Sequence, residues 1–512
     1  MTGVPEDPGE EPSRSLSLVT AVQVTSGQLR HDGLIRALTE LHGQKRVDDR
    51  GRRAVGPSVT LGPRVVVAGT HSGVGKTTVA TGLMAAFRSR GMTVASAKVG
   101  PDFIDPGYHH LATGRVGRNL DSFLCGPDAI VPIAAKAASG ADVLVVEGVM
   151  GLFDGLGASL TASTAEIASL LNAPVVLVVD ASSMSSSVRA LVDGFDHHLR
   201  RTCGRPIAGV ILNRVGSDTH ESLLREALEG APVVLGVLRR DPALEWRDRH
   251  LGLVPVVEDQ VGVTASLEKL AHAVGAGLDL VALEALARQA PKLRATPLPA
   301  ARRVPGPPVR IAVMTGKAFG FSYPDNLERL VEAGAELIAV DPLADTALPA
   351  GAQALYACGG FPEVFAAELG ANGALLADAG TKIAAGLPTW AECGGLLWLS
   401  RSLDGHQLCG VIPADATLGS RVTVGYRTAT VRQTSPIGHA GEVLRGHEHH
   451  YSSVEPAGVA LELVGRAGTR LEGWASPTLI ATYLHLHLGG DPTPAERFVA
   501  CAAAPPEVRP PH

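Results

Sequence analysis

The sequence predicts an α/β protein with two doubly wound domains joined by a linker. Two series of short apolar, β-branched runs alternate with helical patterns, one starting at RVVVAGT (64–70) and the other at VRIAVMTG (309–316). Apolar strands that alternate with helices are typical of a mostly parallel sheet covered on both faces. A proline-rich stretch without hydrophobic period separates the two series. The 512 residues leave room for roughly two to four domains, each with its own core.

The chain therefore divides into four predicted segments. Residues 1–62 begin acidic and proline-rich and end in the charged run KRVDDRGRR, which predicts a poorly ordered extension. Residues 63–292 carry the strands RVVVAGT, TVASAKV, ADVLVVEG, APVVLVVD and IAGVILN. Residues 293–309 are the predicted linker. Residues 310–500 form the predicted second domain, with the helical stretch DNLERLVEAGAEL, the further strands ELIAVDP and ALYACGG, and the turn PTWAECGG.

The composition excludes several functional classes. A formal net charge of −6 gives no basic footprint for nucleic acid, and no Lys/Arg cluster favours an anionic membrane. The six cysteines form no C-x-x-C pair, which argues against a zinc or disulfide framework. The N-terminus MTGVPEDPGEEPSRS lacks the basic and apolar segments of a secretory signal, and no apolar run is long enough for a membrane span. We expect a cytoplasmic protein that acts on small molecules.

A phosphate-binding loop is predicted at residues 69–78, GTHSGVGKTT, between an apolar strand and a helical pattern. Glycines free backbone N–H groups for phosphate oxygens, the lysine reaches the β- and γ-phosphates, and the first threonine can hold Mg²⁺. The loop departs from the strict motif because its first glycine, Gly69, is displaced by one position. The alternative is a glycine-rich helix start that binds no nucleotide. The predicted nucleotide-binding residues of the loop are Gly73, Gly75, Lys76, Thr77 and Thr78.

Charged side chains follow two further strands of the first domain. Glu147 ends the strand ADVLVVEG and Asp154 lies in the next loop, so both can face Mg²⁺ and phosphate at the carboxyl edge of the sheet. Asp154 can instead simply shape its turn. Lys98 ends another strand, has the reach for a phosphate, and is followed by a loop that contains Asp102 and Asp105. From the residues alone, that loop can equally be an ordinary turn.

A candidate nucleophile lies in the second domain. Cys393 stands between the short strand PTWAE and a helix, and two glycines follow it directly. Such a turn presents the sulfur at a helix N-terminus and offers the Gly394 N–H to a developing oxyanion. The segment YACGGFPE contains Gly360, whose backbone can complete that oxyanion hole. A single cysteine is more often inert packing, but the strand–turn–helix context favours a reactive Cys393.

A thiol that attacks an amide needs a general base. The candidates are His485 and His487 of YLHLH, which strand alternation places on one face, and the cluster GHEHHYS at 446–452. The imidazoles of YLHLH and of this cluster could, with Glu448, instead form a metal site, although their spacing matches no common zinc pattern.

Together these segments resemble the cobyrinic acid a,c-diamide synthases, a branch of the class I glutamine amidotransferases that includes the hydrogenobyrinic acid enzymes. The resemblance covers about residues 64–490 and depends on nine collinear motifs: GTHSGVGKTT, KVGPDFIDPGYHH, VEGVMGLFDG, ILNRVGS, RHLGLVP, DNLERLVEAGAE, AECGGLL, GHEHHYS and YLHLH. The displaced glycine of the phosphate loop also looks like that of dethiobiotin synthetases. The resemblance implies a dethiobiotin-synthetase-like ATPase domain followed by a flavodoxin-like class I amidotransferase domain.

The resemblance also implies roles for single residues. In the second domain Cys393 would be the glutaminase nucleophile and His485 its base. Many class I amidotransferases have H-x-E at this point, whereas this chain has His487, so the third member is a histidine or absent. In the first domain, Asn213 resembles a residue that contacts the nucleotide base, although a strand-end cap is equally consistent. The remaining implied contacts are nucleotide and Mg²⁺ for Lys76, Thr77, Glu147 and Asp154, and the corrinoid for Asp102 and Asp105.

The implied activity is amidation of the a and c carboxylates of cobyrinic or hydrogenobyrinic acid in cobalamin biosynthesis, with ATP, Mg²⁺ and glutamine. Carboxylate activation as an acyl phosphate and ammonia release at a thiol explain why two domains are needed. One alternative is a cobyric acid synthase, whose ending usually reads YLHG. Another is a regulatory ATPase of the MinD type with an inactive glutaminase domain. We considered a homodimer as the assembly, and the sequence leaves the number of subunits open.

Overall fold

A computed structural model describes residues 58–242 and 260–504, together with the short paired strands Asp248–Arg249 and Gly252–Leu253. The predicted extension lies outside the described residues, except for residues 58–62, and so does most of the RHLGLVP motif. Among the described residues no helix is long and apolar enough to cross a bilayer.

The first domain is built on a seven-stranded parallel sheet with the order β4-β3-β5-β2-β6-β7-β8. Five of its strands confirm the apolar runs predicted from the sequence, and the two at Arg118–Leu120 and Val234–Arg239 were not predicted. The seven strands are β2 (Arg64–Gly69), β3 (Val94–Val99), β4 (Arg118–Leu120), β5 (Val143–Glu147), β6 (Val175–Asp180), β7 (Ile207–Val215) and β8 (Val234–Arg239).

Helices cover both faces of this sheet, as a doubly wound fold requires. In β2, Val66 and Ala68 pack in one apolar core and Val65 and Val67 in the other, which explains why the strand is apolar without alternation. The described helices are α1 (Lys76–Ser89), α2 (Asp105–Thr113), α3 (Ser122–Cys125), α4 (Ile130–Ala137), α5 (Thr164–Leu170), α6 (Ser187–Cys203), α7 (Asp218–Ala227), α8 (Gln260–Gly277) and α9 (Leu280–Gln289), with a 3₁₀ turn at Pro127–Ala129.

The second domain contains a six-stranded sheet with the order β14-β12-β15-β17-β25-β24, parallel except at its last pair. The strands are β12 (Val309–Met314), β14 (Ala335–Val340), β15 (Ala354–Ala357), β17 (Thr389–Glu392), β24 (Trp474–Ser476) and β25 (Leu479–Thr482). Its helices are α10 (Pro324–Ala333), α11 (Ala366–Ala371), α12 (Gly373–Ala384), α13 (Gly394–Leu399) and α14 (Thr493–Ala503), with a 3₁₀ turn at Pro362–Phe365.

A second, largely antiparallel sheet of the same domain was not predicted. Its two longest strands, β20 (Ile412–Val431) and β21 (Val443–Glu455), pair along most of their length. The strand β26 (His485–Leu486) pairs with β21 and places His485 opposite His447. The other strands are β18 (Ser400–Leu403), β19 (His406–Gln407), β22 (Leu461–Gly465) and β23 (Gly468–Glu472), and a separate small pair joins β13 (Phe319–Phe321) to β16 (Gly359–Gly360).

Secondary structure is present at two of the predicted domain boundaries. The strand β1 (Val59–Leu61), at the end of the predicted extension, pairs with β11 (Leu293–Ala295), at the start of the predicted linker. Arg64 fixes this pair, because its guanidinium donates to the carbonyls of Gly62 and Pro291 at 2.6 and 2.7 Å. The second domain extends to Ala503 through its last helix, a few residues beyond the predicted end at 500.

Candidate active site

The phosphate loop has the predicted strand–loop–helix form. Gly75 adopts φ +95°, and a Cβ at this position would lie 2.2 Å from the Asn213 Nδ2 atom, so only glycine fits. A steric contact also explains why a glycine occupies position 69. A Cβ there would lie 2.8 Å from the Cδ atom of Lys76, whose side chain folds back over the loop and donates to the His71 carbonyl at 3.1 Å.

A cluster of charged side chains lies directly beside the loop. The Thr77 hydroxyl donates to Glu147 at 2.6 Å and is 3.3 Å from a carboxylate oxygen of Asp105. Lys98 Nζ donates to Asp105 at 2.6 Å and to Glu147 at 2.7 Å. His109, which the sequence analysis did not single out, is fully buried, and its Nε2 atom lies 2.6 Å from Glu147. The structure thus gathers residues from four sequence segments at the carboxyl edge of the sheet.

The protonation states of this cluster follow from burial and close charges. Burial, and then the charge of Lys98, lower the pKa of Lys76 to about 8. Burial alone would raise the pKa of Glu147, but Lys98 and His109 hold it below its usual value. Burial and the nearby charge of Asp102 raise the pKa of Asp105. The buried ammonium of Lys98 therefore bonds two carboxyl groups: that of Glu147, whose pKa is lowered, and that of Asp105, whose pKa is raised.

Three predicted site residues have local roles in the structure. Asp154 is exposed and accepts the Gly151 N–H at 2.7 Å. This hydrogen bond is the one expected if Asp154 shapes its own turn. Asp102 accepts the N–H groups of Ile104 and Asp105 at the start of α2. The amide of Asn213 donates to the Val74 carbonyl at 2.9 Å and so braces the phosphate loop. Metal, corrinoid and base contacts of these three side chains stay predictions. Of the other loop residues, Gly73 has a positive φ of 79° and Thr78 is half-buried in the first turn of α1.

Cys393 occupies the strained elbow that the sequence predicts. It lies between β17 and α13 with φ 48° and ψ −100°, an uncommon conformation for a residue other than glycine. Its N–H donates to the Thr482 carbonyl at 2.7 Å and its carbonyl accepts from Leu397 at 3.1 Å, so the elbow is held on both sides. Burial, and then the negative charge of Glu363, raise the pKa of the Cys393 thiol above its usual value.

Backbone groups and an imidazole surround this elbow. A Cβ on Gly394 would lie 3.0 Å from the Gly360 nitrogen, which shows how closely the two predicted oxyanion donors approach. A Cβ on Gly359 would lie 2.5 Å from the His485 ring. The Gly359–Gly360 segment therefore contacts both the elbow and the predicted base, and a side chain would obstruct either contact.

His485 lies in a buried and mostly uncharged environment. Its ring stacks on His447 with 5.0 Å between centroids. Burial, and then the charge of His450, lower its pKa to about 3, so the resting imidazole is neutral. Its Nδ1 atom has no hydrogen-bond partner among the described residues and lies 3.8 Å from a carboxylate oxygen of Glu392. Burial raises the pKa of Glu392 to about 8.

His487 does not contact His485 in this arrangement. Its Nδ1 atom accepts the Gly489 N–H at 3.0 Å and lies 3.2 Å from the sulfur of Cys125 in the first domain. Among the described residues, the carboxyl group that approaches His485 Nδ1 is that of Glu392, the residue before the predicted nucleophile. The sequence analysis expected the third member to be a histidine or absent, and the role of Glu392 beside His485 stays a proposal.

The alternative of a metal site in the histidine cluster has no support. Among the described residues, no group of three or more His, Cys, Asp and Glu side chains is placed to hold a metal ion. Instead, His450 stacks on Tyr483 and Glu448 accepts from Arg427 at 2.6 Å.

The two centres face each other across the domain interface. Arg118 of the first domain is buried and pairs with Asp325 and Glu328 of the second at 2.7 Å each. The Tyr426 hydroxyl of the second domain donates to Asp121 of the first at 2.6 Å. These contacts fix the carboxyl edge of the first sheet against the glutaminase side of the second domain.

Comparison with protein families matches both halves of the chain. Residues 65–254 match the CobQ/CobB/MinD/ParA nucleotide binding domain. Residues 310–493 match the CobB/CobQ-like glutamine amidotransferase domain. The predicted combination of a nucleotide-binding α/β domain and a glutamine amidotransferase domain is confirmed.

Curated relatives are similar over nearly their whole length. A Streptomyces coelicolor protein named hydrogenobyrinate a,c-diamide synthase is 47% identical, over 85% of this chain and 97% of its own. A Thermobifida fusca protein of the same name is 45% identical, over 87% and 98%. The chain belongs to the hydrogenobyrinate and cobyrinate a,c-diamide synthase family. A Synechococcus protein named cobyrinate a,c-diamide synthase is 43% identical, over 86% of this chain and 98% of its own.

Membership of the diamide synthase family confirms the resemblance drawn from the nine motifs. Sequence reasoning nevertheless missed three residues that the structure adds to the two centres: His109, Glu392 and Phe103. His109 and Phe103 lie inside the quoted motif KVGPDFIDPGYHH, and Glu392 lies inside AECGGLL. The signal was present in each motif, but only the fold shows which atoms these side chains approach.

Proposed function

We propose that this protein converts the a and c side-chain carboxylates of hydrogenobyrinate or cobyrinate to amides, in two successive turnovers, with ATP as activator and glutamine as nitrogen donor. This is a ligase reaction of cobalamin biosynthesis. The names of the relatives support the substrate class. The observation that carries the proposal is the presence, in one chain, of a cysteine elbow and an imidazole that both approach the Gly359–Gly360 segment, together with a phosphate loop beside a carboxylate cluster.

The first centre is suited to activate a carboxylate. Thr77, Glu147 and Asp105 offer converging hard oxygen donors that fit Mg²⁺, with Lys76 placed for the phosphates of ATP. Bound Mg²⁺ would supply charge neutralisation on the phosphoryl oxygens. A substrate carboxylate oxygen attacks the γ-phosphorus, the bond to the β–γ bridging oxygen breaks, and ADP leaves. Ammonia then attacks the acyl carbon of the acyl phosphate, and inorganic phosphate leaves.

The second centre is suited to release that ammonia. The Cys393 sulfur attacks the glutamine amide carbon, His485 accepts the thiol proton, and the leaving nitrogen receives it. The N–H groups of Gly394 and Gly360 would donate to the oxyanion. Water then hydrolyses the thioester and glutamate leaves. Because thiol and imidazole are both neutral at rest, we expect proton transfer only when glutamine is bound.

Further properties are proposed with this function. A cytoplasmic location is supported by six unpaired cysteines, all within the described residues. The acidic net charge of −6 supports small-molecule substrates over nucleic acid. A homodimer stays a proposal of the sequence analysis. The names of the relatives favour a,c-diamide synthesis over cobyric acid synthesis, and the glutamine amidotransferase match favours an active glutaminase over a regulatory ATPase.

The test is product analysis with hydrogenobyrinate and cobyrinate offered separately, plus ATP, Mg²⁺ and glutamine. We expect mass spectrometry and NMR to find two new amides, at positions a and c. Cys393→Ala should abolish the reaction with glutamine and retain it with added ammonia, whereas Lys76→Ala should abolish both. Amides at other positions would favour the cobyric acid synthase alternative. A wild-type protein without glutaminase activity, even with ATP and the corrinoid, would favour the regulatory ATPase.

A further inference from the structure

An open cleft lies between the domains, and neither of the two centres described above includes it. It encloses about 430 Å³, between Phe123, Leu156 and Ala158 of the first domain and Tyr426, Val464 and Arg466 of the second. Two large apolar side chains remain exposed there, Leu156 at 39% and Val464 at 47%. Its walls therefore present apolar surface from both domains, which is typical of a ligand site at a domain interface.

The position of the cleft relates it to the first centre. Phe123 follows β4 and Leu156 follows β5, and these strands flank β3, which carries Lys98 near its carboxyl end. The loop after β5 is tied to the phosphate loop, because the Leu152 N–H donates to the Gly69 carbonyl at 2.8 Å. A ligand in the cleft thus lies along the sheet edge where open α/β sheets bind their substrates.

Two arginines give the cleft its charge. Arg466 lines it, and the Arg445 guanidinium lies 5.8 Å from the centroid of the Phe123 ring. Both are exposed, and within the described part of the chain neither forms an ion pair with a carboxylate. The floor is rigid, because Asp121 accepts both the Tyr426 hydroxyl and the N–H groups that start α3. The combination suits a flat, largely apolar molecule with carboxylates around its rim.

We propose that this cleft binds the macrocyclic polycarboxylate substrate. The apolar walls would contact the ring, and Arg445 and Arg466 would bind carboxylates at its periphery. The inference depends on the proposed function for the identity of that ligand. Arginine suits this role because its guanidinium binds carboxylates through paired donors. Substrate recognition is thereby assigned to the cleft, as a site separate from the loop that contains Asp102 and Asp105.

The test is steady-state kinetics of Arg466→Glu, Arg445→Glu and the double variant. We expect the KM for hydrogenobyrinate to rise roughly tenfold or more for each single variant, while the KM for ATP stays within about twofold. The matched control is Arg294→Glu, an exposed arginine on β11 in the separate two-stranded sheet of β1 and β11, which does not line the cleft. An unchanged KM for hydrogenobyrinate in the double variant would overturn the cleft assignment. A wild-type enzyme that makes no diamide would instead overturn the proposed function.

A different observation carries a second inference, about Phe103. This residue lies in the loop between β3 and α2 of the first domain, yet its ring packs among rings of the second domain. Its centroid is 5.1 Å from His485, 5.7 Å from His447, 5.4 Å from Phe321 and 4.5 Å from Tyr323. Phe103 therefore contacts the ring of the predicted glutaminase base from the synthetase side.

The same loop also reaches the phosphate site. Asp105, two residues further on, bonds Lys98 and Thr77. The intervening backbone is braced, because Asp102 accepts two N–H groups of the loop and Asn119 donates to the carbonyls of Gly100 and Asp102. Two residues span at most roughly 7 Å, so a displacement of Asp105 also displaces Phe103.

We infer that Phe103 is a positioning residue that couples the two centres, closing the glutaminase site toward the first domain when the phosphate site is engaged. Phe103→Ala should raise the ratio of glutamine hydrolysed to amide formed several-fold, and should retain synthesis with added ammonia. Phe103→Tyr, which keeps the ring, should restore most of the coupling. The control Phe195→Ala removes a ring that packs on Phe153 within the first domain. An unchanged ratio in Phe103→Ala, or equal losses with glutamine and with ammonia, would overturn the inference.

Discussion

At the scale of single residues, both centres hold reactive groups in forms that wait for a ligand. The thiol of Cys393 and the ring of His485 are neutral because burial disfavours charge on either one. The pKa of Lys76 is lowered to about 8, and an approaching phosphate would favour its charged form. The thiol and the imidazole of the glutaminase centre therefore carry no charge before glutamine arrives, whereas the phosphate centre keeps the buried ion pair of Lys98 and Glu147.

Gly75 gives the sharpest steric prediction. Gly75→Ala forces a Cβ to within 2.2 Å of the Asn213 amide at φ +95°, so the loop must open and nucleotide binding should weaken by roughly a hundredfold or more. The matched control is Gly73→Ala, with φ +79° and open space, which should cost only about fivefold. Titration with a fluorescent ATP analogue measures both. Equal losses in the two variants would show that backbone strain, and not the contact with Asn213, governs this loop.

Glu392 predicts a pH dependence of stability. Its pKa is about 8 in the folded protein, above its ordinary value near 4.5, so the native state holds a proton that the unfolded chain has lost between these pH values. The free energy of unfolding therefore falls as pH rises from about 5 to 8, by at most about 1.4 kcal/mol per pH unit. Glu392→Gln removes that contribution. The free energy of unfolding, measured with urea at pH 5.5, 6.5 and 7.5, should then fall less steeply with pH than in the wild type. The exposed Glu368, changed to Gln, should keep the wild-type slope.

At the scale of elements, the start of β4 is joined to helix α10 by buried charge. Arg118→Ala removes the ion-pair partner of Asp325 and leaves Glu328 paired with Lys136. Removing one partner of a buried pair typically costs about 3–5 kcal/mol, so we expect a clearly lower unfolding midpoint in urea. Arg189→Ala, which breaks an exposed pair with Asp193 on α6, should change stability by less than about 1 kcal/mol. Similar midpoints for the two variants would contradict a structural role for the interface pair.

The elements also show what sequence can and cannot predict. Strand β5 and the elbow at Cys393 were predicted because each is encoded within a few adjacent residues. The pair β20 and β21 was not predicted, because exposed valines such as Val424 and Val443 give no clean alternation between an apolar and a polar face.

At the scale of the whole molecule, the motifs identified the two chemistries but not their relation in space. Lys76, Glu147 and Cys393 were assigned from local patterns, and the structure places them where those patterns expect. The approach of Glu392 to His485 and the reach of Phe103 into the second domain depend on how distant segments pack. Asp154 shows the limit of a motif, because its carboxylate accepts the Gly151 N–H of its own turn and its contact with Mg²⁺ stays a prediction.

The arrangement of both centres in one chain predicts that ammonia passes within a single molecule. Ammonia released to bulk water at neutral pH is mostly protonated and non-nucleophilic, whereas the two centres here are linked by one short loop from Asp105 to Phe103. Cys393→Ala retains the first centre and Lys76→Ala retains the second. An equimolar mixture of the two variants, given glutamine, ATP and hydrogenobyrinate, should form amide at no more than a few per cent of the wild-type rate, while added ammonia should restore synthesis. Restoration of near wild-type activity by mixing alone, at dilute protein, would mean that ammonia travels through solution or that subunits share their centres. A dilution series separates these two cases, because sharing between subunits depends on their association and diffusion of ammonia does not.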